Sequence, residues 1–250
     1  MDDAPPFADR FDDPRVTPEF CRRVPGADGD VILLGVVHDH PASVGRVGTV
    51  LDRVDPAVLA VELPSAAVPL YRTYARETDD AGRPRFGGEM SAAIAAAGDA
   101  EVVGIDAPSW SFCRRLATRL VADRVAGATA RRLLSSLGGA TRTALSCRLA
   151  ATLTNATSMT VAADDPISYD CSHADPPTRQ AAHERSHVAG VRALLRSGEP
   201  GAVTYRDETR EACMVDRLRA LRERGDVVVV VGVDHLEPLA EALTGPEEAD

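Results

Sequence analysis

The chain has 250 residues, a net charge of −10 and an apolar content of 44%, which is typical of a globular protein with a substantial core. All 28 basic residues are arginine, and this acidic, lysine-free composition is typical of a GC-rich genome or a salt-rich cytoplasm. The acidic balance weighs against partners such as nucleic acid or an anionic membrane.

The sequence shows neither a targeting signal nor a membrane span. No apolar run approaches the ~20 residues that cross a bilayer, and the acidic residues 1–6 have no signal-peptide pattern. The five cysteines are scattered without a Cys-x-x-Cys pair, which favours reduced structural thiols. We therefore expect a cytoplasmic protein that acts on a peptide or a small molecule and forms no complex with nucleic acid or membrane; a homo-oligomer is compatible with these features.

Four apolar, β-branched runs predict the strands of one sheet. They are residues 31–37, 58–61, 102–105 and 227–231. Runs of this length with polar boundaries are typical of strands buried on both faces. Segments with helical spacing separate them, for example residues 44–54 and 90–97. The predicted fold class is α/β, with a central parallel or mixed sheet flanked by helices.

The middle of the chain has a different pattern, because leucines at helical spacing replace the strand pattern. We predict a helical insertion over residues 109–200 that caps the carboxyl ends of the strands, with one helix across 109–156 and another across 178–196. A further helix is predicted over 205–224. The whole chain, residues 1–250, is expected to form a single domain with loose acidic ends at 1–20 and 245–250.

Each predicted strand is followed by a residue that can bind a metal or move a proton. These residues are His38, Glu62, Asp106 and His235. Because the carboxyl ends of parallel strands lie at one edge of a sheet, we expect these side chains to converge. Imidazoles and carboxylates without a thiolate suit Zn, Mn, Co or Fe(II). Asp106 precedes Ala107 and Pro108, so a turn role is its alternative.

Two of these histidines end copies of one motif, Gly-x-x-His, in the segments Gly35-Val36-Val37-His38 and Gly232-Val233-Asp234-His235. Together with Val61-Glu62-Leu63 after Asp55-Pro56, they resemble the TraB/PrgY family, whose relatives include the Tiki proteases. Residues 210–214, Arg-Glu-Ala-Cys-Met, resemble that family's Arg-Asp/Asn-x-x-Met segment. The resemblance covers residues 31–106 and 205–243 and omits the helical middle.

The resemblance implies an α/β fold with both motif histidines and the glutamate at one site. Tiki relatives use that site for metal-dependent peptide hydrolysis, and the TraB/PrgY branch shuts down a peptide pheromone. Carried over, His38, Glu62 and His235 form the site, and Arg210 and Glu211 support it. The chain departs from the family at Ala67, near which the family has an arginine, and in having no membrane-spanning C-terminal part.

We therefore expect a metal-dependent hydrolase of a peptide or another amide or ester bond. His38 and His235 would bind the metal, Glu62 would bind the metal or act as a base, and Arg210 would stabilise the developing oxyanion. One alternative is a non-catalytic protein that binds a peptide or small ligand in the same cleft.

A second alternative is a zincin-like protease. The segment His183-Glu184-Arg185-Ser186-His187 places two imidazoles on one helix face, with a glutamate as base. Glu208 or Glu211 could supply a third ligand. Arg185 and Ser186 are polar where a buried zincin helix is apolar, so we predict a solvated helix face instead of a metal site, with a contribution to the same cleft from the cap as a further alternative.

Overall fold

The computed structural model describes residues 6–106, 167–195 and 202–245, together with Phe112, Arg114, Arg115, Leu116 and Thr118. A five-stranded sheet forms its centre, which confirms the predicted α/β class. The strands are β1 (Cys21–Val24), β2 (Val31–Val36), β3 (Val58–Pro64), β4 (Glu101–Asp106) and β5 (Val227–Gly232). Their spatial order is β1-β2-β5-β3-β4, with β1 antiparallel to β2 and the other neighbours parallel.

Helices cover both faces of this sheet. They are α1 (Pro41–Leu51), α2 (Val68–Tyr74), α3 (Gly88–Ala96), α4 (Pro177–Leu195), α5 (Ala202–Arg222) and α6 (Val233–Thr244), and a short 3-10 helix spans Phe7–Arg10. Alternate strand residues face opposite layers. Leu34 and Val228 pack in the cluster that contains α1 and α3, whereas Leu33 and Val229 pack with α5 and α6.

The last strand in sequence occupies the middle of the sheet. β5 is almost entirely valine, and Val227 to Val231 are fully buried, as expected for a central parallel strand. Its register places Gly232 beside Val36 on β2 and Val230 beside Val61 on β3. The segments that follow β2 and β5 therefore leave the sheet side by side, and they carry the two motif histidines.

The amino-terminal segment differs from its prediction. The sequence predicts loose residues up to about 20, but Ala8, Phe11 and Val16 are buried in the core. The segment is rich in Asp and Pro, but its few apolar residues pack beside β1 in the core. Strand β1 itself was not predicted from the sequence.

Helix α4 lies over the carboxyl ends of the strands, since His187, Val188 and Val191 share a cavity with Val36 and Gly232. The predicted helix over 109–156 lies outside the described residues except for parts of its first turns, and the predicted loose end at 245–250 lies outside them except for Gly245. None of the helices in the described ranges has the length and apolar character needed to cross a membrane.

Candidate functional site

The first group of interacting side chains lies at the ends of β3, β4 and β5. We call it the His235 cluster; it comprises Glu62, Asp106, Arg210, Glu211 and His235. β3 and β4 shift register between Val61 and Pro64, and such irregularities redirect side chains at strand ends. Glu62 lies in this irregular segment, and its Oε2 accepts a hydrogen bond from the backbone N–H of Gly232 at 2.6 Å.

Arg210, on α5, connects two of the predicted strand-end carboxylates. Its Nε donates to Asp106 Oδ1 at 2.8 Å, and its NH2 donates to Glu62 Oε1 at 2.7 Å. Among the described residues, the third nitrogen, NH1, makes the longest contacts, 3.5 Å to Asp207 Oδ1 and 3.5 Å to His235 Nε2. Arg210 therefore holds Glu62 and Asp106 in place through Nε and NH2.

His235 lies between two glutamates. Its Nδ1 is 2.8 Å from Glu211 Oε1, and its Nε2 is 3.4 Å from Glu62 Oε1. Burial by itself would lower the pKa of His235, but the hydrogen bond and charge of Glu62, with the hydrogen bond to Glu211, raise it to about 9. In the metal-free chain this imidazole is consequently protonated at neutral pH.

The pKa of Glu62 shifts in the opposite direction. Burial would raise it, but the hydrogen bond and charge of His235, the charge of Arg210 and the Gly232 N–H lower it to about 2. Because a catalytic base works best with a pKa near the operating pH, this glutamate fits the role of a ligand better than that of a base.

The second group, the His38 cluster, comprises His38, Asp39 and Glu89. His38 Nδ1 is 3.1 Å from Glu89 Oε1, and the Asp39 backbone N–H donates to Glu89 Oε2 at 2.9 Å. Asp39 adopts a left-handed backbone conformation with φ of 56°, which aspartate tolerates better than most residues. A Cβ at Gly88 would lie 2.2 Å from Asp39 Oδ1, so the start of α3 can approach this turn only with glycine there.

The four predicted metal ligands are thus divided between two clusters. Glu62, Asp106 and His235 all contact Arg210, whereas His38 contacts Glu89 and Asp39. Within the described ranges, His38, Asp39 and Glu89 are the only three His, Cys, Asp or Glu residues whose ligand atoms all lie within 4.8 Å of one another. The shared metal site of His38, Glu62 and His235 therefore stays a prediction.

Both motif histidines nevertheless share one contact. In each, Nδ1 faces a glutamate carboxylate on a helix, Glu89 on α3 or Glu211 on α5. A carboxylate accepts, so Nδ1 carries a proton, and a metal would bind Nε2 after displacing any proton there. Metal-binding histidines almost always have this arrangement, because the second contact fixes the tautomer and orients the ring.

The charge around Arg210 and His235 also fits a divalent cation. Glu62, Asp106 and Asp207 contact the guanidinium, and Glu211 contacts the imidazole. With His235 neutral, four carboxylates face one positive charge. Imidazole nitrogen and carboxylate oxygen are ligands of the expected ions Zn, Mn, Co and Fe(II).

The predicted solvated face of the α4 motif is wrong at its glutamate, which is buried against α1. Glu184 is fully buried and forms an ion pair with Arg46, and Ser43 Oγ donates to it at 2.5 Å. His183 Nδ1 is 2.9 Å from His40 Nε2. Since His40 Nδ1 accepts the Ala42 N–H, Nε2 of His40 carries the proton and donates to His183. A glutamate committed to a buried ion pair is poorly placed to activate water, so this geometry weighs against a zincin site.

Asp39 and Glu89 were missed as site residues by the sequence reasoning, which considered His187 only as part of the α4 motif. Asp39 directly follows a motif histidine, and Glu89 is a lone carboxylate at the start of an alanine-rich helix. Neither position belongs to a motif, so the sequence offered little indication that these residues lie at a site. His187 lines a cavity of about 240 Å³ together with Glu62 and His235. Its place beside them depends on the docking of α4, which no local pattern encodes.

Comparisons with protein-family models, with curated proteins and with solved structures found no match to this chain.

Proposed function

We propose that this protein is a metal-dependent hydrolase of a peptide or another amide or ester bond, as the resemblance to the TraB/PrgY and Tiki proteins implies. The observation that carries the proposal is a contact that His38 and His235 share: in each, Nδ1 faces a glutamate carboxylate. Such a pairing of imidazole and carboxylate is a general feature of metal ligands.

The roles of the residues follow from their contacts. His38, His235 and Glu62 would hold the ion, and Glu211 and Asp106 would position His235 and Arg210 respectively. A divalent ion there would supply Lewis-acid polarisation of a carbonyl and activation of a water molecule. Arg210 would direct NH1, whose contacts among the described residues are its longest, toward the developing oxyanion.

The test is metal content followed by activity. The purified chain is stripped of metal, reconstituted separately with Zn, Mn, Co and Fe(II), dialysed and analysed for bound ion. The reconstituted protein is then screened against a peptide library. We expect about one ion per chain and hydrolysis that is lost when the ion is removed. Tight binding of none of the four ions would refute the proposal.

One observation favours a second candidate, a non-catalytic protein that binds a peptide or small ligand. In the metal-free chain Glu62 is already engaged by Arg210, His235 and the Gly232 N–H. Such a closed set of ion pairs can serve as a recognition surface without chemistry. Saturable peptide binding in the absence of both bound metal and hydrolysis would favour this candidate.

A further inference from the structure

We propose that a pocket beside the His235 cluster binds an aliphatic side chain of the substrate. We call it the valine pocket; it is formed by Val36, Val37, Val188, Val191 and Val233. The inference rests on the proposed function for what happens to the bound chain, but side-chain binding itself requires neither metal nor hydrolysis.

Three separate parts of the fold contribute these valines. Val36 and Val37 lie at the end of β2, Val233 begins α6, and Val188 and Val191 project from α4. The cavity measures about 240 Å³, below the about 300–1,000 Å³ of pockets that enclose a whole drug-sized ligand. It therefore suits one branched side chain and its adjoining amide.

The same cavity is also lined by Glu62 and His235. A peptide that inserts a side chain among the valines therefore brings its neighbouring amide to the His235 cluster. The cavity thus combines apolar side chains with a few polar groups, the usual character of a small-molecule site.

The charged residues at the cavity do not favour a charged side chain. Arg192 and Asp234 also line it, but Arg192 Nε lies 3.5 Å from Asp234 Oδ1, so their charges oppose one another. Val191 is 37% exposed, which is uncommon among the large apolar residues of the described ranges. Covering this surface with an aliphatic group removes it from water, which favours binding.

The test uses capped tripeptides of the form acetyl-Ala-Xaa-Ala-amide, with Xaa as Leu, Gly, Asp or Lys. Binding to the metal-free full chain is measured by NMR titration of backbone amides. We expect the leucine peptide to bind about tenfold tighter than the glycine peptide or more, since even one methylene in an apolar pocket discriminates about tenfold. Equal affinity for Leu and Gly, or preference for Asp or Lys, would overturn the proposal.

Two variants at one position locate the binding. Val191→Phe fills the pocket and Val191→Ser makes its rim polar, and each should abolish the preference for leucine. Leu194→Phe is the matched control, because Leu194 lies on the same helix, is 76% exposed and does not line the cavity. A leucine preference that survives in either folded Val191 variant refutes the assignment. Selective binding of the leucine peptide, without hydrolysis after reconstitution with any of the four metals, would refute the proposed function but would support the valine pocket as a binding site.

Discussion

The Nδ1 atom of His235 lies 2.8 Å from Oε1 of Glu211, and this contact determines which imidazole nitrogen a metal can reach. Glu211 lies one turn before Met214 and Val215, which pack in the core, and its side chain is 18% exposed, so a test of its carboxylate has to keep the shape of the side chain. The relationship therefore gives a direct test of the proposed metal site.

We expect Glu211→Gln to weaken metal binding by ~10–100-fold, the usual cost of losing a contact behind a metal ligand. The amide retains the shape of the side chain but removes the charge that favours Nδ1–H. Competition with a chromogenic chelator measures the affinity. Glu208→Gln, at an exposed position on the same helix, is the control, and equal affinities in the two variants would contradict the prediction.

The raised pKa of His235 predicts how the stability of the metal-free chain depends on pH. Its folded-state pKa of about 9 exceeds the ordinary 6.5, so between these values the folded chain holds a proton that the unfolded chain releases. The stabilisation is fully present below pH 6.5 and is lost as the pH rises through 9. Its size is about 3 kcal/mol at most.

Urea unfolding at several pH values between 6 and 10 measures this effect. His235→Gln lacks the titrating group, so the difference between wild type and variant isolates it from other titrations. We expect that difference to shrink as the pH rises. Parallel curves for the two proteins over the whole range would show that His235 has an ordinary pKa. Metal affinity should rise over the same range, since the ion competes with the proton on Nε2.

Arg210 supplies the positive charge between Glu62 and Asp106. Arg210→Met removes it and leaves both mostly buried carboxylates without their ion pairs. We expect a loss of roughly 2–4 kcal/mol in the free energy of unfolding, below the roughly 3–5 kcal/mol of fully buried pairs. Arg217→Met changes an exposed arginine on the same helix and should cost far less. Similar urea midpoints for the two variants would contradict this prediction.

The strands that carry the site were predictable because their signal is local. β5 is a run of valines, and β2 and β3 are nearly as apolar, so burial on both faces follows from composition. β1 was missed because its sequence is Cys-Arg-Arg-Val. A short edge strand with two charged side chains has no strong local pattern, and only its pairing with β2 makes it a strand.

The site was predictable only in part. The convergence of Glu62, Asp106 and His235 follows from parallel strands ending at one edge, and the structure brings these residues together around Arg210. The pairing of His38 with Glu89 depends instead on the left-handed turn at Asp39. That turn follows the Gly-x-x-His motif and is not part of it, so the motif did not predict the contact.

The histidines of α4 should not contribute to metal binding. His183 accepts from His40, and the glutamate between the two histidines is committed to Arg46. We expect the double variant His183→Ala/His187→Ala to bind as much metal as the wild type in elemental analysis. His235→Ala, prepared in parallel, should lose it. Loss of metal in the double variant would instead promote the zincin alternative.

The last prediction concerns the convergence of His38 and His235 on one ion. β2 and β5 are adjacent parallel strands, and Val36 pairs with Gly232, so the two Gly-x-x-His segments start beside one another. His38 is half exposed, so an ion in solvent can reach its ring. Binding of a shared ion would draw the two Nε2 atoms to ligand distances of ~2.0–2.1 Å from Zn.

We therefore expect His38→Ala and His235→Ala each to abolish tight metal binding, and the double variant to be no worse than either. Two independent sites would behave differently, because each single variant would then retain one ion per chain. Cobalt titration followed by visible absorption gives the number of ions and the coordination environment, and circular dichroism checks that each variant is folded.

His40→Ala is not a suitable control, because His40 is buried and caps α1. His173→Ala, at an exposed position outside both clusters, should bind cobalt like the wild type. Retention of one cobalt ion in His38→Ala with the wild-type spectrum would place the ion in the His235 cluster alone and exclude His38 from the site.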